Sequence, residues 1–118
     1  MPIRKHTISF RHAWNGVWHT VKTQPNFRVH LLGTLLAVFL GYWLEISAVE
    51  WVIVTFTILW VLVSEMINTS VEAMVDLITT EIREEARIAK DVAAGMVLVG
   101  AAGAVIVGAI IFLPKLLG

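Results

Sequence analysis

Three long apolar runs limit the folds that this chain can adopt. A helix that crosses a bilayer needs about 20 mainly apolar residues, and each run contains a stretch of that length. The chain has 118 residues, 58% of them hydrophobic, and its mean hydropathy is +0.80. These values exceed those of an ordinary soluble domain. The sequence therefore predicts an all-α, multi-pass membrane protein of one domain (1–118), with membrane helices over 27–44, 48–78 and 86–113.

The composition also removes several classes of function. No cysteine is present, which excludes a disulfide framework, a thiolate zinc site and a cysteine nucleophile. Nine basic and nine acidic residues cancel, so the charge gives no reason to expect a nucleic acid as partner. Neither a GxxxxGK[ST] phosphate loop nor an HExxH zinc motif occurs in the sequence, which excludes a soluble-type nucleotide fold and that zinc site.

Basic residues are distributed unevenly around the apolar runs. Five of them precede or open the first run, and three lie between the second and the third. The short link EISAVE between the first two runs carries only acidic charges. By the positive-inside rule, the amino terminus and the second loop are predicted to be cytoplasmic, with the carboxyl terminus outside. Lys115, near that terminus, is the exception.

An amphipathic pattern precedes the first apolar run. Apolar residues recur there at three- and four-residue spacing, with polar residues between them. This pattern predicts an amphipathic helix over 5–24 that lies in the membrane interface, and Pro25 is expected to end it. A simple surface anchor is the alternative to a functional role. The apolar residues of this helix are Phe10, Trp14, Val17, Trp18 and Val21.

The segment SEMINTSVEAMVD (64–76) is polar although it directly follows a very apolar run. Glu65, Asn68, Glu72 and Asp76 are spaced by three, four and four residues, so a helix places them in one stripe, here called the acidic stripe. An ionisable group at membrane depth costs roughly 2.5–3.5 kcal/mol on insertion scales and marks a functional site by default. The alternative is that the second span ends near Val63 and that the stripe is a hydrated helix face.

The segment between the second and third runs is densely charged. Thr79 or Thr80 is predicted to cap the helix that follows. Lys90 and Asp91 stand at the mouth of the third run, where a basic group facing the acidic stripe would clamp a phosphate. An ordinary snorkelling lysine is the alternative. Within the third run, small residues at four-residue intervals predict close packing between helices: Gly100, Ala104 and Gly108.

Two neighbouring carboxylates can divide the work of a reaction. One holds a divalent metal through hard oxygen ligands, and the other accepts a proton from a substrate hydroxyl. At a cytoplasmic membrane boundary this favours phosphoryl transfer from Mg-ATP to a lipid alcohol. A small oligomeric ion transporter, in which Glu65 and Glu72 bind cations, is an alternative. A structural protein is a third. ATP binding distinguishes the kinase from the transporter.

Two adjacent motifs carry a resemblance to a known family. ExxNTxxExxVD (65–76), followed by AKDxAAG (89–95), resembles the prokaryotic diacylglycerol kinase family of small integral membrane lipid kinases. SFRHAWNGV (9–17), NFRVH (26–30) and IIFLPKLL (110–117) extend the resemblance over nearly the whole chain. It implies a homotrimeric bundle with shared active sites in the bacterial inner or plasma membrane, Mg²⁺ as cofactor, and ATP and a membrane lipid alcohol as partners.

The resemblance also assigns a branch and residue roles. SFxHAxxG and the closing IIFLPKLL are more similar to the undecaprenol kinase branch, so undecaprenol is the expected substrate and diacylglycerol the alternative. By position, Glu65 is implied to be the catalytic base and, with Arg28, to contact the lipid. Glu72 is implied to hold the metal. The residues implied to bind the nucleotide are Asn68, Glu72, Glu81, Arg83, Lys90 and Asp91.

Gln24 is a departure from the family pattern. Family members often have a glutamate at this position, where it serves as a second metal ligand. The amide oxygen of Gln24 can still coordinate Mg²⁺, but it brings no charge. The resemblance therefore implies a metal site formed by Glu72 and Gln24 that binds Mg²⁺ more weakly than usual in the family, unless another carboxylate compensates.

Overall fold

Helices account for nearly the whole structure, a computed structural model that describes residues 2–118, with side chains from Ser9 onward. The described residues form four helices and no strand. The all-α prediction is thus confirmed. The helices are α1 (Pro2–Thr23), α2 (Pro25–Trp43), α3 (Ala48–Ile78) and α4 (Glu84–Leu117).

Two helices, α3 and α4, are long and apolar enough to cross a membrane. In the most apolar 18-residue stretch of each helix, only 22% of the residues in α3 and 17% of those in α4 are buried inside the protein. Apolar helices with outward-facing side chains are suited to lipid rather than water, so this is a membrane protein. Helix α2 covers the first apolar run but carries Arg28 and His30 in its first turns. A crossing by α2 stays a prediction.

Pro25 separates α1 from α2, as predicted. Gln24 is extended, with φ −111° and ψ 102°, and Pro25 opens α2. A proline is well placed there because the first N–H groups of a helix have no intrahelical partner. Helix α4 begins at Glu84, two residues before the predicted start at 86, and ends at Leu117 rather than 113. Glu84 and Glu85 in its first turn interact favourably with the helix dipole.

A tight turn brings α2 back alongside α3. The N–H of Ile46 donates to the carbonyl of Gly41 (3.1 Å), and the N–H of Glu45 donates to that of Tyr42 (3.3 Å). This is a Schellman motif, whose αL position usually holds glycine. Glu45 occupies it here, with φ 53°. Ser47 then caps α3 through reciprocal hydrogen bonds with Glu50.

Helices α3 and α4 share the most extensive contact in the molecule, and α2 lies against α3. Gly100 of α4 lies at this contact, because a Cβ built there would be 3.3 Å from the Trp60 indole and 3.5 Å from Ser64 Oγ. The predicted close helix packing is therefore confirmed at Gly100. Toward the α2–α3 turn, the packing is completed by an apolar cluster of Ile46, Val54, Ile111 and Phe112.

Helix α1 runs over residues 2–23, close to the predicted 5–24, and contacts α2 and α3. Its large apolar side chains Phe10, Trp14 and Trp18 are exposed, whereas Thr20 is buried. The aromatic side chains of α1 are therefore not part of the protein core. A helix in the membrane interface presents such a surface to lipid.

Candidate functional site

The acidic stripe lies on one uninterrupted helix, since α3 continues to Ile78. Its residues become more exposed along the chain. Glu65 is 1% exposed and Asn68 9%, Glu72 is half-buried and Asp76 is exposed. The hydrated-face alternative is therefore wrong for Glu65 and Asn68. The stripe instead leads from the protein interior to the surface.

Glu65 is the most deeply buried large side chain described in the protein. Its Oε2 and the Oδ1 of Asn68 are the buried side-chain oxygens that lack a hydrogen-bond partner, counting side chains from Ser9 onward. Buried polar atoms in proteins are nearly always hydrogen-bonded, so an exception needs an explanation such as a catalytic role or a bound ion. The nearest basic atom recorded for Glu65 is Nε2 of His30, 4.0 Å from Oε2. That distance is too long for a hydrogen bond.

An apolar cleft begins one helical turn from Glu65. It has a volume of about 430 Å³ and lies between α2, α3 and α4. His30 and Val61 line it at the Glu65 end. Phe112, a member of the apolar cluster, lines it at the other end. Thr34 and Thr57 are among its few polar residues. Its lining and its volume suit part of a hydrocarbon chain.

Lys90 faces the acidic stripe, as the sequence predicted. Its Nζ donates to Oδ1 of Asp76 at 2.7 Å, which links the first turns of α4 to the last turns of α3. The Glu72 carboxylate is near enough to add to the attraction on this ammonium. Asp91 has a different partner, because its Oδ2 accepts a hydrogen bond from Arg87 at 2.9 Å. Both ion pairs are substantially exposed, so they contribute little to stability.

Glu81 and Arg83 lie together in the loop between α3 and α4. The Arg83 guanidinium donates twice to Oε2 of Glu81, at 2.9 and 3.1 Å. With Asp76 they line a second, more polar cavity of about 530 Å³.

Neither Thr79 nor Thr80 caps α4, so that prediction is wrong. Thr79 Oγ1 instead accepts the N–H of Glu81, and the cap position is held by Arg83.

Gln24 and Arg28 occupy the junction of α1 and α2. The Gln24 amide donates to Oγ1 of Thr23 at 3.4 Å, and Arg28 donates to the backbone carbonyl of Lys22 at 3.4 Å. Both hydrogen bonds are long and exposed, so the two side chains are only weakly held. Their roles toward metal and lipid stay predictions.

Oxygen donors suited to a hard cation are present along the stripe. They include the Glu72 carboxylate and the unpartnered Oδ1 of Asn68. Among the residues that the structure describes, however, no three His, Asp or Glu side chains gather into a metal cluster. Mg²⁺ commonly uses one or two carboxylates and completes its shell with phosphates and water. The donors therefore fit a magnesium ion that arrives with a nucleotide, not a cage formed by the protein alone.

His30 is a site residue that the sequence analysis missed. The available signal was a titratable side chain inside an apolar run, which by itself is also consistent with an ordinary core histidine. Only the packing of α2 against α3 shows that His30 is the side chain closest to pairing with Glu65.

The comparison with known families distinguishes between the lipid kinase, the ion transporter and the structural protein. A family profile described as Prokaryotic diacylglycerol kinase matches residues 11–112. The chain belongs to this family. It is 42% identical to the undecaprenol kinase of Bacillus subtilis (strain 168) over 108 residues, which cover 92% of this chain and 88% of the relative.

Two proteins named diacylglycerol kinase are also similar. The diacylglycerol kinase of Synechocystis sp. (strain ATCC 27184 / PCC 6803 / Kazusa) is 40% identical over 111 residues, or 93% of this chain and 63% of the relative. The diacylglycerol kinase of Escherichia coli (strain K12) is 32% identical over 95 residues, which cover 80% of this chain and 78% of the relative. The family resemblance found in the motifs is confirmed. The chain is a lipid kinase.

Proposed function

We propose that this kinase transfers the γ-phosphate of Mg-ATP to the hydroxyl of undecaprenol at the cytoplasmic face of a bacterial plasma membrane. The main structural support is the Glu65 carboxylate, which is buried without a hydrogen bond beside the end of an apolar cleft. A lipid alcohol fits this arrangement, because its chain is apolar and its hydroxyl needs an acceptor. The similarity to the B. subtilis undecaprenol kinase favours undecaprenol as that alcohol.

Glu65 acts as the general base. As the lipid oxygen attacks the γ-phosphorus, its O–H bond breaks and the proton goes to the Glu65 carboxylate, which is buried and free to accept it. A new P–O bond forms, the bond from the γ-phosphorus to the bridging oxygen breaks, and ADP leaves with that electron pair. Because Glu65 is 1% exposed, bulk water does not compete for the carboxylate.

The exposed end of the acidic stripe receives the nucleotide. Lys90 exchanges Asp76 for a phosphate, since an ion pair that is 41% and 62% exposed is easily opened. Arg83 in the neighbouring loop cavity supplies a second positive charge. The remaining polar residues of this nucleotide site are Asn68, Glu72, Glu81 and Asp91.

Glu72 and Gln24 would hold the magnesium ion that accompanies ATP. When bound, Mg²⁺ neutralises charge on the phosphates of the nucleotide and so eases attack by the alcohol. The carboxylate of Glu72 attracts the ion, whereas the amide of Gln24 contributes an oxygen without charge. The chain therefore binds Mg²⁺ more weakly than a relative that has two carboxylates at these positions.

The assembly we propose is a homotrimer in which α2, α3 and α4 all cross the membrane and the amino terminus is cytoplasmic. Helix α2 supports this, because Leu32, Leu35, Leu36 and Phe39 are exposed along it and need lipid or another subunit as cover. Lys115 fits the orientation, since its ammonium lies 3.5 Å from Glu50 and its charge is balanced at that end. Arg28, at the cytoplasmic start of α2, contacts the polar end of the lipid.

The test is phosphate transfer from labelled ATP with Mg²⁺ in mixed micelles, offered undecaprenol or diacylglycerol in separate reactions. The purified protein and its Glu65→Gln variant are compared. Label in undecaprenol that is lost in the variant supports both the substrate and the base. Transfer to neither lipid, by folded protein with Mg²⁺ in excess, would refute the proposal, and cation flux through reconstituted vesicles would then be measured.

Diacylglycerol is the second candidate acceptor. The diacylglycerol kinases of Synechocystis and E. coli favour it, because they are 40% and 32% identical to this chain. The apolar lining of the cleft does not discriminate between the two lipids, since both combine one free hydroxyl with long hydrocarbon chains. Faster transfer to diacylglycerol in the same assay would replace undecaprenol with this substrate and leave the roles of the residues unchanged.

A further inference from the structure

His30 and Glu65 face each other across the contact between α2 and α3. The imidazole Nε2 lies 4.0 Å from Oε2 of Glu65, and His30 is 21% exposed at the end of the apolar cleft. The gap exceeds a hydrogen bond by about 1 Å, a distance that a small rotation of the imidazole closes. His30 thus occupies the border between the cleft and the buried carboxylate.

Few other basic groups approach Glu65 among the side chains described from Ser9 onward. Helix α4 has no titratable residue between Asp91 and Lys115, and α3 has none between Glu50 and Glu65. Lys90, the basic residue that faces the stripe, is paired with Asp76. Arg28 on α2 donates to the carbonyl of Lys22. Among the described side chains, His30 is therefore the basic one best placed to donate a hydrogen bond to the proposed base.

We infer that His30 is a positioning residue for Glu65: its Nε2–H donates to the carboxylate and holds the other carboxylate oxygen toward the lipid hydroxyl. The inference rests on the proposed role of Glu65 as base. Two carboxylate oxygens are available, so one accepts from His30 while the other accepts the proton of the alcohol. A base oriented in this way raises the rate of the chemical step more than it alters nucleotide binding.

The position of His30 also links binding of the lipid chain to the orientation of Glu65. His30 lines the same cleft as Val61 and Phe112, so a lipid that fills the cleft packs beside the imidazole. Packing of the chain against His30 keeps the imidazole next to Glu65.

The experiment compares His30→Phe, which keeps a ring but removes the donor, with His30→Gln, whose amide nitrogen reaches about the position of Nε2. His12→Phe, at an exposed position on α1, is the matched control. Initial rates are measured against Mg-ATP at saturating lipid. For His30→Phe, kcat falls roughly 10- to 100-fold, the loss expected for a hydrogen bond to a charged group, while the KM for Mg-ATP stays within about twofold. His30→Gln retains most of kcat, and His12→Phe matches the unmodified protein.

Several results would overturn the inference. They are a kcat for His30→Phe close to that of the unmodified protein, an equal loss in His30→Gln, or a loss confined to KM. If His30→Phe fails to fold, His30→Asn replaces it, because its shorter amide cannot reach the position of Nε2. Equal rates for the Asn and Gln variants then count against the role of Nε2. Absence of transfer by the unmodified protein is a separate outcome, because it refutes the proposed function itself.

Discussion

Replacing Glu65 with glutamine should have opposite effects on activity and on stability. The side chain keeps its shape, so the packing around it is preserved. The proposed general base is lost, and kcat is therefore expected to fall by roughly 10²- to 10⁴-fold. At the same time a buried charge is removed from a position where, among the described residues, Oε2 has no hydrogen-bond partner.

The size of the stability gain follows from the surroundings of Glu65. A buried group without a hydrogen bond costs about 1–3 kcal/mol, and more when it is charged. His30 at 4.0 Å compensates only part of this cost. The amide introduced by Glu65→Gln also lacks partners, so it recovers only part of the difference. We expect the free energy of unfolding to rise by about 1–2 kcal/mol.

Equilibrium unfolding in mixed micelles, titrated with a denaturing detergent, measures this change beside the kinase assay. Glu85→Gln is the control, because Glu85 is exposed in the first turn of α4. Its replacement should leave kcat unchanged and should lower the free energy of unfolding by no more than roughly 0.3–1 kcal/mol, the contribution of its interaction with the helix dipole. A Glu65→Gln protein that is less stable than the unmodified one would refute the reasoning, since the carboxylate would then make stabilising contacts. Retained activity would remove Glu65 as the base.

Three further predictions concern the metal, the nucleotide and the fold. Gln24→Glu adds a charged ligand and should lower the Mg²⁺ concentration that gives half the maximal rate; an unchanged requirement would remove Gln24 from the metal shell. Lys90→Met should raise the KM for Mg-ATP about tenfold, with the free energy of unfolding changed by less than about 1 kcal/mol, because its ion pair with Asp76 is exposed. An unaffected KM in steady-state kinetics would place the phosphate elsewhere. Glu45→Gly should stabilise the protein by about 1 kcal/mol in detergent unfolding, since Glu45 has φ 53°, and a loss of stability would contradict the strain at this turn.

The helices could be predicted because their signals are local. Apolar runs, Pro25 and the spacing of the acidic stripe each determine structure over a few residues, and the structure confirms all three. The orientation of Lys90 toward the stripe was also predictable, since only a short loop separates α3 from α4. The stripe's gradient of burial could not be read from its spacing, because that gradient depends on which helices cover α3.

Features that depend on contacts between helices were missed. The sequence of an apolar helix does not define its rotation about its own axis, so the approach of His30 to Glu65 required the structure. The left-handed conformation of Glu45 was also unexpected, because that position usually requires glycine or asparagine. The threonines before α4 resemble a cap, but a loop extends to Arg83 and uses Thr79 for its own hydrogen bond.

In the proposed topology and mechanism, the length of α3 makes membrane thickness a determinant of catalysis. Eighteen residues separate the capping Ser47 from Glu65, a rise of about 27 Å along the helix. The hydrocarbon core of a bilayer is about 30 Å thick. With Ser47 at one boundary, Glu65 stands close to the opposite one, where the hydroxyl of the proposed lipid substrate would lie. A thicker bilayer draws Glu65 below the headgroups, and a thinner one lifts it above them, so the rate of this kinase should pass through a maximum as the acyl chains of the host lipid are lengthened.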